Sequence, residues 1–472
     1  MAATATERKL FVGGEWVETG EWMDVRSPYS GDVLGRVAKA GAEETARAID
    51  AAERAMGDPL PAHKRAEILV KVAAQLGRRH DEVARLISDE AGKPMKAARV
   101  EARRAMSTYT FAAVEARKLA GEVVPMDASQ AGEGKLAFTL RVPIGVVGAI
   151  SPFNFPLNLV AHKLAPSLAA GCAVVLKPAS ATPLSALLLA EMEEEAGLPP
   201  GWLSVVAGSA REIGDVLVED DRVKAITFTG SGDVGWGLRE RAARKRVNLE
   251  LGNATPVIVC ADAPDGAATK LAAHSFSFAG QSCISVQRIY VQDEAWDSFV
   301  AEFVPLVEAL RVGDPADEET DVGPLIDEDA RERVLQWIGE TSGEVLTGGD
   351  TTEDGLVRPT VIANPSPEDK VSCDEVFGPV VTLTKVGSLD EAIELANSTR
   401  FGLQAGIFTS DIRSALRAAR ELEFGGVIVN EAPTFRADQM PYGGVKASGN
   451  TREGPAYAVH ELTEERLVVI EL

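Results

Sequence analysis

The feature that most constrains the fold is a regular alternation of apolar strand patterns and amphipathic helix patterns across residues 144–251. Residues 145–150 form a continuous apolar run, which is typical of a strand buried on both faces of a parallel sheet. A helical pattern follows at residues 157–170, and residues 172–177 form the next strand pattern. Because helices that join parallel strands produce a doubly wound sheet, this stretch predicts an α/β domain.

The rest of the chain predicts at least one further domain. With 472 residues and 45% hydrophobic side chains, the chain is too long for one ordinary core. Helical patterns occupy residues 42–55, 62–91 and 95–120, and a second α/β region is expected from about residue 256 to 430. Residues 123–142 and 462–472 alternate like strands outside both regions. We expect them to pair as an edge sheet or an intersubunit sheet.

Charge and cysteine content exclude several classes of function. The net charge of −23 should repel nucleic acids and anionic membranes, so neither is expected as a partner. No run is long and apolar enough to span a bilayer, and the N-terminus lacks the apolar core of a signal peptide. The four cysteines lie far apart, which predicts neither disulfides nor a metal site and favours a reducing cytoplasm: Cys172, Cys260, Cys283 and Cys373.

Cys283 is the strongest candidate for a nucleophile. It lies between small and polar residues, after a helical pattern at 267–279 and before a strand pattern at 288–291. A cysteine in such a break can be held at a cleft. The nearest histidine along the chain, His274, is nine residues away and forms no triad pattern, so a cysteine hydrolase is a poor interpretation.

Residues 230–235 match the dinucleotide fingerprint G-x-G-x-x-G, after a strand pattern and before a helix pattern. One interpretation is a packed helix start. We favour phosphate binding, in which Gly230 and Ser231 supply backbone and hydroxyl donors at a helix N-terminus. Glu250 lies about twenty residues on and could bind a ribose. Alternatively it is a base whose pKa is raised by burial, or an exposed side chain on an edge strand.

Three further residues follow the strands of this region, and each is weak evidence alone. Asn154 could cap the next helix or donate its amide to an oxyanion. Lys177 ends a strand at the edge where open α/β sheets bind ligands, although a solvated lysine is the plainer interpretation. Ser180 stands where an acid would select a free ribose 2′-hydroxyl. Without that acid a 2′-phosphate is not repelled, so both NAD and NADP are plausible cofactors.

Two loops in the second half complete the set. Glu375 and Phe377 belong to a tight turn at residues 375–379 that could equally be a surface loop. Residues 430–449 form a long loop rich in glycine and aromatic residues, and long loops of this kind are often functional. Within it, Arg436 is our candidate for substrate selection, because a guanidinium can grip a carboxylate, a phosphate or a hydroxyl. Phe435 is its neighbour, and a plain surface position for Arg436 is the alternative.

Taken together, seven ordered motifs resemble the aldehyde dehydrogenase superfamily, and within it the lactaldehyde dehydrogenase-like group. They are Pro152-Phe-Asn-Phe-Pro156, Lys177-Pro-Ala, Phe228-Thr-Gly-Ser231, Leu249-Glu-Leu-Gly252, Gly280-Gln-Ser-Cys283, Glu375-Val-Phe-Gly-Pro379 and Pro441-Tyr-Gly-Gly-x-Lys446-x-Ser-Gly449. The resemblance implies Cys283 as nucleophile, Glu250 as base and Asn154 as oxyanion donor beside the Cys283 N–H. It also implies that Lys177 and Glu375 hold the cofactor riboses and that Gly230 and Ser231 form the pyrophosphate loop of an NAD or NADP site. To that site we add Ser180 and Phe377, and for the aldehyde we expect Phe435 and Arg436 from their position in the long loop.

The resemblance further implies architecture and reaction. The expected parts are a Rossmann-type cofactor domain (1–122 and 143–249), an α/β catalytic domain (250–440) and a small β oligomerisation element (123–142 and 441–472). The expected assembly is a homodimer or homotetramer. The expected reaction oxidises a small, hydroxylated or anionic aldehyde to its acid through a thioester that is hydrolysed. A CoA-acylating semialdehyde dehydrogenase and a non-catalytic oligomeric binding protein on the same fold are the alternatives.

Overall fold

The computed structural model describes residues 6–242 and 244–472. In these ranges the helices are α1 Ala42–Met56, α2 Ala62–Arg78, α3 His80–Ala91, α4 Met95–Lys118, α5 Asn158–Ala170, α6 Leu184–Glu195, α7 Ala210–Glu219, α8 Gly232–Arg241, α9 Ala267–Ser275, α10 Asp293–Glu308, α11 Glu328–Gly339, α12 Lys370–Cys373, α13 Leu389–Asn397, α14 Ile412–Glu421 and α15 Pro455–Glu461. None of them combines the length and the apolar character that a bilayer crossing requires.

The strands in the same ranges are β1 Thr6–Arg8, β2 Leu10–Val12, β3 Glu15–Val17, β4 Trp22–Arg26, β5 Val33–Ala38, β6 Val123–Val124, β7 Lys135–Pro143, β8 Val146–Ile150, β9 Val174–Lys177, β10 Leu203–Val205, β11 Val223–Thr229, β12 Arg246–Glu250, β13 Thr255–Val259, β14 Val286–Gln292, β15 Glu344–Thr347, β16 Thr360–Ala363, β17 Val380–Val386, β18 Gln404–Phe408, β19 Gly426–Val429 and β20 Thr463–Glu471.

The first large sheet confirms the doubly wound prediction. Its strand order is β12-β11-β8-β9-β10-β2-β3, and the five strands from β12 to β10 are parallel. The hairpin β2–β3 extends the sheet in the antiparallel sense, with Gly13 and Gly14 in its turn at positive φ. Apolar side chains from α1–α7 and this sheet form one continuous core.

The second large sheet lies in the region predicted to be α/β. Its order is β15-β16-β17-β14-β13-β18-β19, and every pairing except β15–β16 is parallel. Strands β13, β14 and β17 are almost wholly buried, as expected when helices cover both faces. Their side chains form cores separate from the first one. The chain therefore holds two α/β units, each with its own sheet.

The predicted pairing of the two outlying strands is confirmed. Strand β20 runs antiparallel to β7 over nine residue pairs, from Thr463↔Pro143 to Glu471↔Lys135, and β6 completes this third sheet. Several of its apolar side chains are exposed, among them Leu140, Leu467 and Ile470. The domain boundaries remain predictions. Val459 and Leu462, just before β20, belong to the core of the first unit.

Strand directions bring the candidate residues together. The parallel strands β8, β9, β11 and β12 end at Ile150, Lys177, Thr229 and Glu250, so their carboxyl ends meet at one edge of the first sheet. Ligands bind at this edge in open α/β sheets. The segment between α9 and β14 carries Cys283 toward the same place from the second unit.

Candidate active site

The backbone before Cys283 is strongly constrained. Helix α9 ends at Ser275 instead of continuing to residue 279, and Phe278 and Ala279 both adopt φ of 52°. Gly280 follows at φ 71°, and a Cβ on it would lie 2.0 Å from the carbonyl oxygen of Gly378. Glycine is therefore required there both for its conformation and for its close approach to the neighbouring loop. The turn at residues 375–379 thus fixes the base of the cysteine loop.

Gln281 anchors the same loop from inside. Its side chain is completely buried and donates to the carbonyl of Pro324, while its amide oxygen accepts from the N–H of Ile326 at 2.9 Å. The Gln281 carbonyl in turn accepts from the side chain of Asn154 at 3.0 Å. Among the described residues none accepts the backbone N–H of Cys283. That donor remains available at the site.

The thiol of Cys283 lies where two cavities meet. Its Sγ is 3.0 Å from the hydroxyl of Tyr442. Burial raises the pKa of the thiol to about 12, and the hydrogen bond to Tyr442 lowers it again in part. Since the thiolate is the nucleophilic form, the surroundings of Cys283 decide how readily it reacts.

Asn154 is oriented toward this cysteine loop. Its Nδ2 gives one N–H to Gln281, and the second N–H has no partner in the described part of the chain. Its Oδ1 is buried and unpaired as well. A buried amide with an unused donor is suited to bind an oxygen that gains negative charge.

The alternative role for Asn154, capping the following helix, is wrong. The carboxylate of Glu101 accepts the N–H groups of Leu157 and Asn158 at the start of α5. Lys93 forms a fully buried ion pair with Glu101 at 2.5 Å and donates to the carbonyl of Asn154 at 2.7 Å. This pair, which the sequence did not reveal, fixes the backbone that presents the amide.

Glu250 is buried at the end of β12, and both carboxylate oxygens lack a partner among the described residues. Burial, together with the charge of Glu453, raises the pKa of Glu250 well above its ordinary value, although Arg436 and Lys163 oppose this. A Cβ on Gly443 would lie 2.7 Å from Oε1, so only glycine allows this approach. The buried-base interpretation of Glu250 therefore agrees with its environment.

The interpretation of Glu250 as an exposed residue on an edge strand is wrong for a specific reason. Strand β12 is indeed at the edge of its sheet, but residues 448–450 lie alongside it. Asn450 accepts the N–H of Leu249 at 2.8 Å and donates to the carbonyl of Val247 at 2.9 Å. Its side chain thus replaces a neighbouring strand and closes the edge over Glu250.

The larger cavity is a cleft of about 810 Å³ between the two units. Glu375 accepts the N–H of Asn253 at 3.0 Å, and burial raises the pKa of Glu375 to about 7. Burial also lowers the pKa of Lys177 to about 8. The cleft contains all the residues predicted for the cofactor and all three predicted for the chemistry: Lys177, Ser180, Gly230, Ser231, Glu375 and Phe377, with Asn154, Glu250 and Cys283.

The cleft suits a dinucleotide in chemistry as well as size. A carboxylate, an ammonium group and the N-terminus of the ten-residue helix α8 face one space, and these bind hydroxyl and phosphate groups. The rings of Phe153 and Phe377, one from each unit, meet edge to face at 5.8 Å between centroids. Within the described ranges, no group of three or more histidine, cysteine or acidic side chains is placed to hold a metal ion.

The glycines of residues 230–235 support each of the two interpretations of this motif in part. A Cβ on Gly235 would lie 2.5 Å from Leu251, and one on Gly230 would lie 2.7 Å from the Phe228 ring, so both allow close packing. Gly232 has open space around its Cα and lines the cleft beside Ser231. Phosphate binding at this helix start stays a prediction.

The smaller cavity, of about 310 Å³, opens on the other side of Cys283. Arg436 lies in its wall, but it is ion-paired with Glu453 at 2.7 Å and stacks on the Tyr442 ring at 3.8 Å. The alternative of a surface arginine is therefore wrong. Phe435 is 53% exposed and lies outside the walls of both cavities, so its predicted contact with substrate has no support here.

Sequence reasoning missed a second arginine of this cavity. Arg104 on α4 bonds the carboxylate of Asp438 through Nε and Nη2, whereas its Nη1 has no partner in the described ranges. Lys163 and Glu453 beside Glu250 were missed too. Lys163 could have been noticed as a lysine in α5, a helix that is buried on all sides. Lysine is almost never fully buried unless its charge is paired.

The fold and site define a class: a two-unit α/β enzyme whose nucleotide-sized cleft ends at a cysteine. The model of the aldehyde dehydrogenase family matches residues 16–468, and the chain belongs to that family. It is an NAD(P)-dependent aldehyde dehydrogenase, as the sequence predicted.

Similar proteins locate the chain more closely. It is 45% identical over 466 residues to a 3-sulfolactaldehyde dehydrogenase of Priestia aryabhattai, covering 98% of both chains. It is 40% identical to a lactaldehyde dehydrogenase of Methanocaldococcus jannaschii, covering 98% of this chain and all of that one. The crystal structure of glyceraldehyde-3-phosphate dehydrogenase GapN from the same archaeon, complexed with NADP, superposes with a TM-score of 0.92 at 39% identity, covering 96% of this chain and all of that chain. The predicted resemblance to the lactaldehyde dehydrogenase-like group is confirmed.

Proposed function

We propose that the enzyme oxidises a short 2-hydroxyaldehyde, preferably one with an anionic group, and releases the free carboxylic acid. The observation that carries this proposal is the position of Cys283 between two cavities, with Asn154 and Glu250 on the cleft side. The cleft accounts for the cofactor and the smaller cavity for the aldehyde. A buried base without a hydrogen-bond partner accounts for hydrolysis.

In the first half of the mechanism the Cys283 thiolate attacks the aldehyde carbon. A C–S bond forms, and the carbonyl π electrons move to oxygen. The free N–H of Asn154 and the backbone N–H of Cys283 are the donors for this oxyanion. The C–H bond of this carbon then breaks and the carbonyl re-forms as a thioester. A nicotinamide bound in the cleft beside Lys177 and Glu375 would accept the hydride.

In the second half Glu250 removes a proton from water. The water oxygen attacks the thioester carbon, the C–S bond breaks, and the acid leaves with Cys283 restored. Carboxylates act as bases only when ionised, so the charges of Arg436 and Lys163 near Glu250 favour its active form.

The substrate class rests on the smaller cavity and on the relatives. The names of the three similar proteins contain three aldehydes: sulfolactaldehyde, lactaldehyde and glyceraldehyde 3-phosphate. All three aldehydes have a 2-hydroxyl group, and two of them are anions. In the cavity wall the side chains of Lys93 and Arg436 are only 1% and 5% exposed and are ion-paired with Glu101 and Glu453, whereas that of Arg104, paired with Asp438, is 18% exposed. Arg104 keeps a free Nη1 and is therefore our candidate for the anionic group.

The direct test is reduced-nicotinamide formation by the purified protein, with NAD and NADP each tested against neutral and anionic aldehydes with and without a 2-hydroxyl. We expect activity without CoA and a preference for anionic 2-hydroxyaldehydes. Activity that requires CoA would replace this proposal with the acylating alternative. A preference for long apolar aldehydes would contradict the substrate class.

Arg104→Met should raise KM for an anionic aldehyde by about tenfold to a hundredfold, because one charge-assisted hydrogen bond is worth about 1.5–3 kcal/mol. The neutral analogue should lose much less. The readout is kcat/KM for the matched pair of aldehydes. Arg103→Met, one residue earlier and exposed, is the control that should leave both values unchanged. Equal losses for both aldehydes would show that Arg104 acts on folding of the site and not on the anion.

Asn154→Ala should slow the formation of reduced nicotinamide in the first turnover by roughly 10²–10³, the typical effect of losing one oxyanion donor. Alkylation of Cys283 should continue at the wild-type rate, because the thiol itself is untouched. Stopped-flow measurement of the first turnover tests this directly. An unchanged first turnover would remove the assigned role.

The oligomeric state and the cytoplasmic location stay predictions. The exposed apolar side chains of the β6–β7–β20 sheet support a homodimer or homotetramer built on that surface. The acidic net charge gives nucleic acid and anionic membranes no electrostatic attraction.

A further inference from the structure

Tyr442 contacts the sulfur that reacts, and no role has yet been assigned to it. Its hydroxyl lies 3.0 Å from the Sγ of Cys283, and the residue is only 3% exposed. Burial raises the pKa of the phenol well above its ordinary value, and the adjacent Cys283 raises it further. Once the thiol has lost its proton, only the tyrosine can donate the hydrogen bond between the two groups.

The ring of Tyr442 is held on several sides. Arg436 lies 3.8 Å from the ring centroid, and its guanidinium is fixed by Glu453 at 2.7 Å. The backbone of Tyr442 exchanges two hydrogen bonds with that of Glu453. Gly443, the next residue, lies against the carboxylate of Glu250. The phenol is thus fixed to the same network that surrounds the proposed base, and it cannot turn away without breaking these contacts.

Charged groups near Cys283 act in both directions: Arg436 lowers the pKa of the thiol, whereas Glu375 and Glu250 raise it. Arg104, Arg436 and Lys163 are cations of this network, whereas Asp438 and Glu453 are its ionised carboxylates. Glu250 adds no negative charge while it is protonated. Since burial and the carboxylate of Glu375 oppose ionisation of the thiol, a hydrogen bond from Tyr442 is the contact that offsets them.

We propose that Tyr442 is a catalytic residue whose hydroxyl donates a hydrogen bond to the Cys283 thiolate, stabilising it and aiming it at the aldehyde. This inference rests on the proposed role of Cys283 as nucleophile. In the step itself the thiol proton leaves to water, and the sulfur lone pair forms the C–S bond. Tyr442 keeps its own proton throughout. Its hydrogen bond is strongest before the attack and weakens as the sulfur loses its charge.

Tyr442→Phe removes only the hydroxyl. We expect the pH midpoint of Cys283 alkylation by iodoacetamide to rise by about one unit or more, the shift that a hydrogen bond to a charged group produces. The alkylation rate at neutral pH should fall by about threefold. A tenfold loss of thiolate is partly offset, because a more basic thiolate is more nucleophilic, with a Brønsted slope of about 0.4–0.5. Mass spectrometry of the peptide containing Cys283 gives the rate for that site alone.

Tyr457→Phe, on the surface helix α15, is the matched control and should leave the profile unchanged. Incorporation of 3-fluorotyrosine at position 442 keeps the shape and makes the phenol a stronger donor, so the midpoint should move down. These opposite shifts would support the proposal, since damage to packing would admit water to the buried thiol and lower the midpoint in both variants. Unchanged midpoints in both position-442 variants would overturn it.

The same data separate this inference from the proposed function. If Cys283→Ala kept full dehydrogenase activity, the role of the nucleophile would fail and the Tyr442 proposal with it. If Cys283 proved essential but the pH midpoint of its alkylation did not depend on the hydroxyl of Tyr442, only the inference about Tyr442 would fail. Circular dichroism and the melting temperature of each variant establish that it is folded before its profile is compared.

Discussion

Cys283→Ala is expected to abolish aldehyde-dependent reduction of NAD(P), by at least about 10⁴-fold, because every step of the proposed mechanism passes through a bond to its sulfur. Alanine fills less space than cysteine and leaves the constrained backbone of residues 278–280 unchanged. The fold should therefore survive, and cofactor binding in the cleft should persist. The measurement is the initial rate of reduced-nicotinamide formation, together with cofactor affinity by calorimetry.

Cys373→Ala is the matched control for this loss. Cys373 is the exposed cysteine among the four, whereas Cys172 and Cys260 are buried. Its removal should leave the rate within twofold of wild type, about the scatter of a surface substitution. A Cys283→Ala enzyme that still turned over would mean that water adds to the aldehyde directly and that the resulting hydrate is oxidised to the acid. Such a result would reject the covalent mechanism.

Most of the fold could be predicted because its signals are local and repeated. The strand–helix alternation of residues 144–251 indicates a parallel sheet without any knowledge of distant contacts. Short elements were harder. Strand β5, Val33–Ala38, was missed, and residues 62–91 were taken as one helix although Arg79 leaves the helical conformation and separates α2 from α3. A helix break of a single residue depends on tertiary packing, and a local sequence pattern carries no information about that packing.

The site divides in the same way. Cys283, Glu250 and Asn154 were found because each lies in a recognisable motif, and the structure brings them to one cleft. Arg104 sits in a plain helix, α4, and becomes significant only where that helix meets the cysteine loop. Tyr442 was inside a known motif, but its contact with sulfur depends on two segments 159 residues apart. No spacing rule connects such residues.

Arg436 illustrates how a correct location can suggest an incomplete role. Sequence reasoning placed it near the substrate, and it does line the smaller cavity. Its charge, however, is engaged by Glu453, and its face by Tyr442. Arg436 and Glu453 form a buried ion pair, and removing either residue would leave the charge of the other without a partner. A substitution at either position would therefore change the pKa of Glu250 as well as the binding of substrate. This coupling makes Arg436 a poor first target. Arg104 is a better one, because it is not among the charges that shift the pKa of Glu250.

Glu250→Gln is expected to separate the two halves of the reaction. Glutamine has nearly the same shape as glutamate but cannot accept a proton from water, so the thioester should form and then persist. We expect a burst of one reduced nicotinamide per active site, followed by a steady-state rate lowered by about 10²–10⁴-fold, the usual contribution of a general base. Mass spectrometry of the quenched enzyme should show the acyl group on the peptide that contains Cys283.

The pH dependence of deacylation tests the role of Glu250 most directly. Burial and Glu453 raise the pKa of Glu250, and the base works only after losing its proton. Wild-type deacylation should therefore accelerate as the pH rises toward this elevated pKa and level off above it. The slow deacylation of Glu250→Gln should lack this rising limb of the pH profile. Glu465→Gln, the same change at an exposed site on β20, should retain it. Full steady-state activity in Glu250→Gln, or an unaltered pH limb, would assign the base to another residue. Because Lys163 and Glu453 lie beside the carboxylate and are themselves ionisable, they would be the first groups to test.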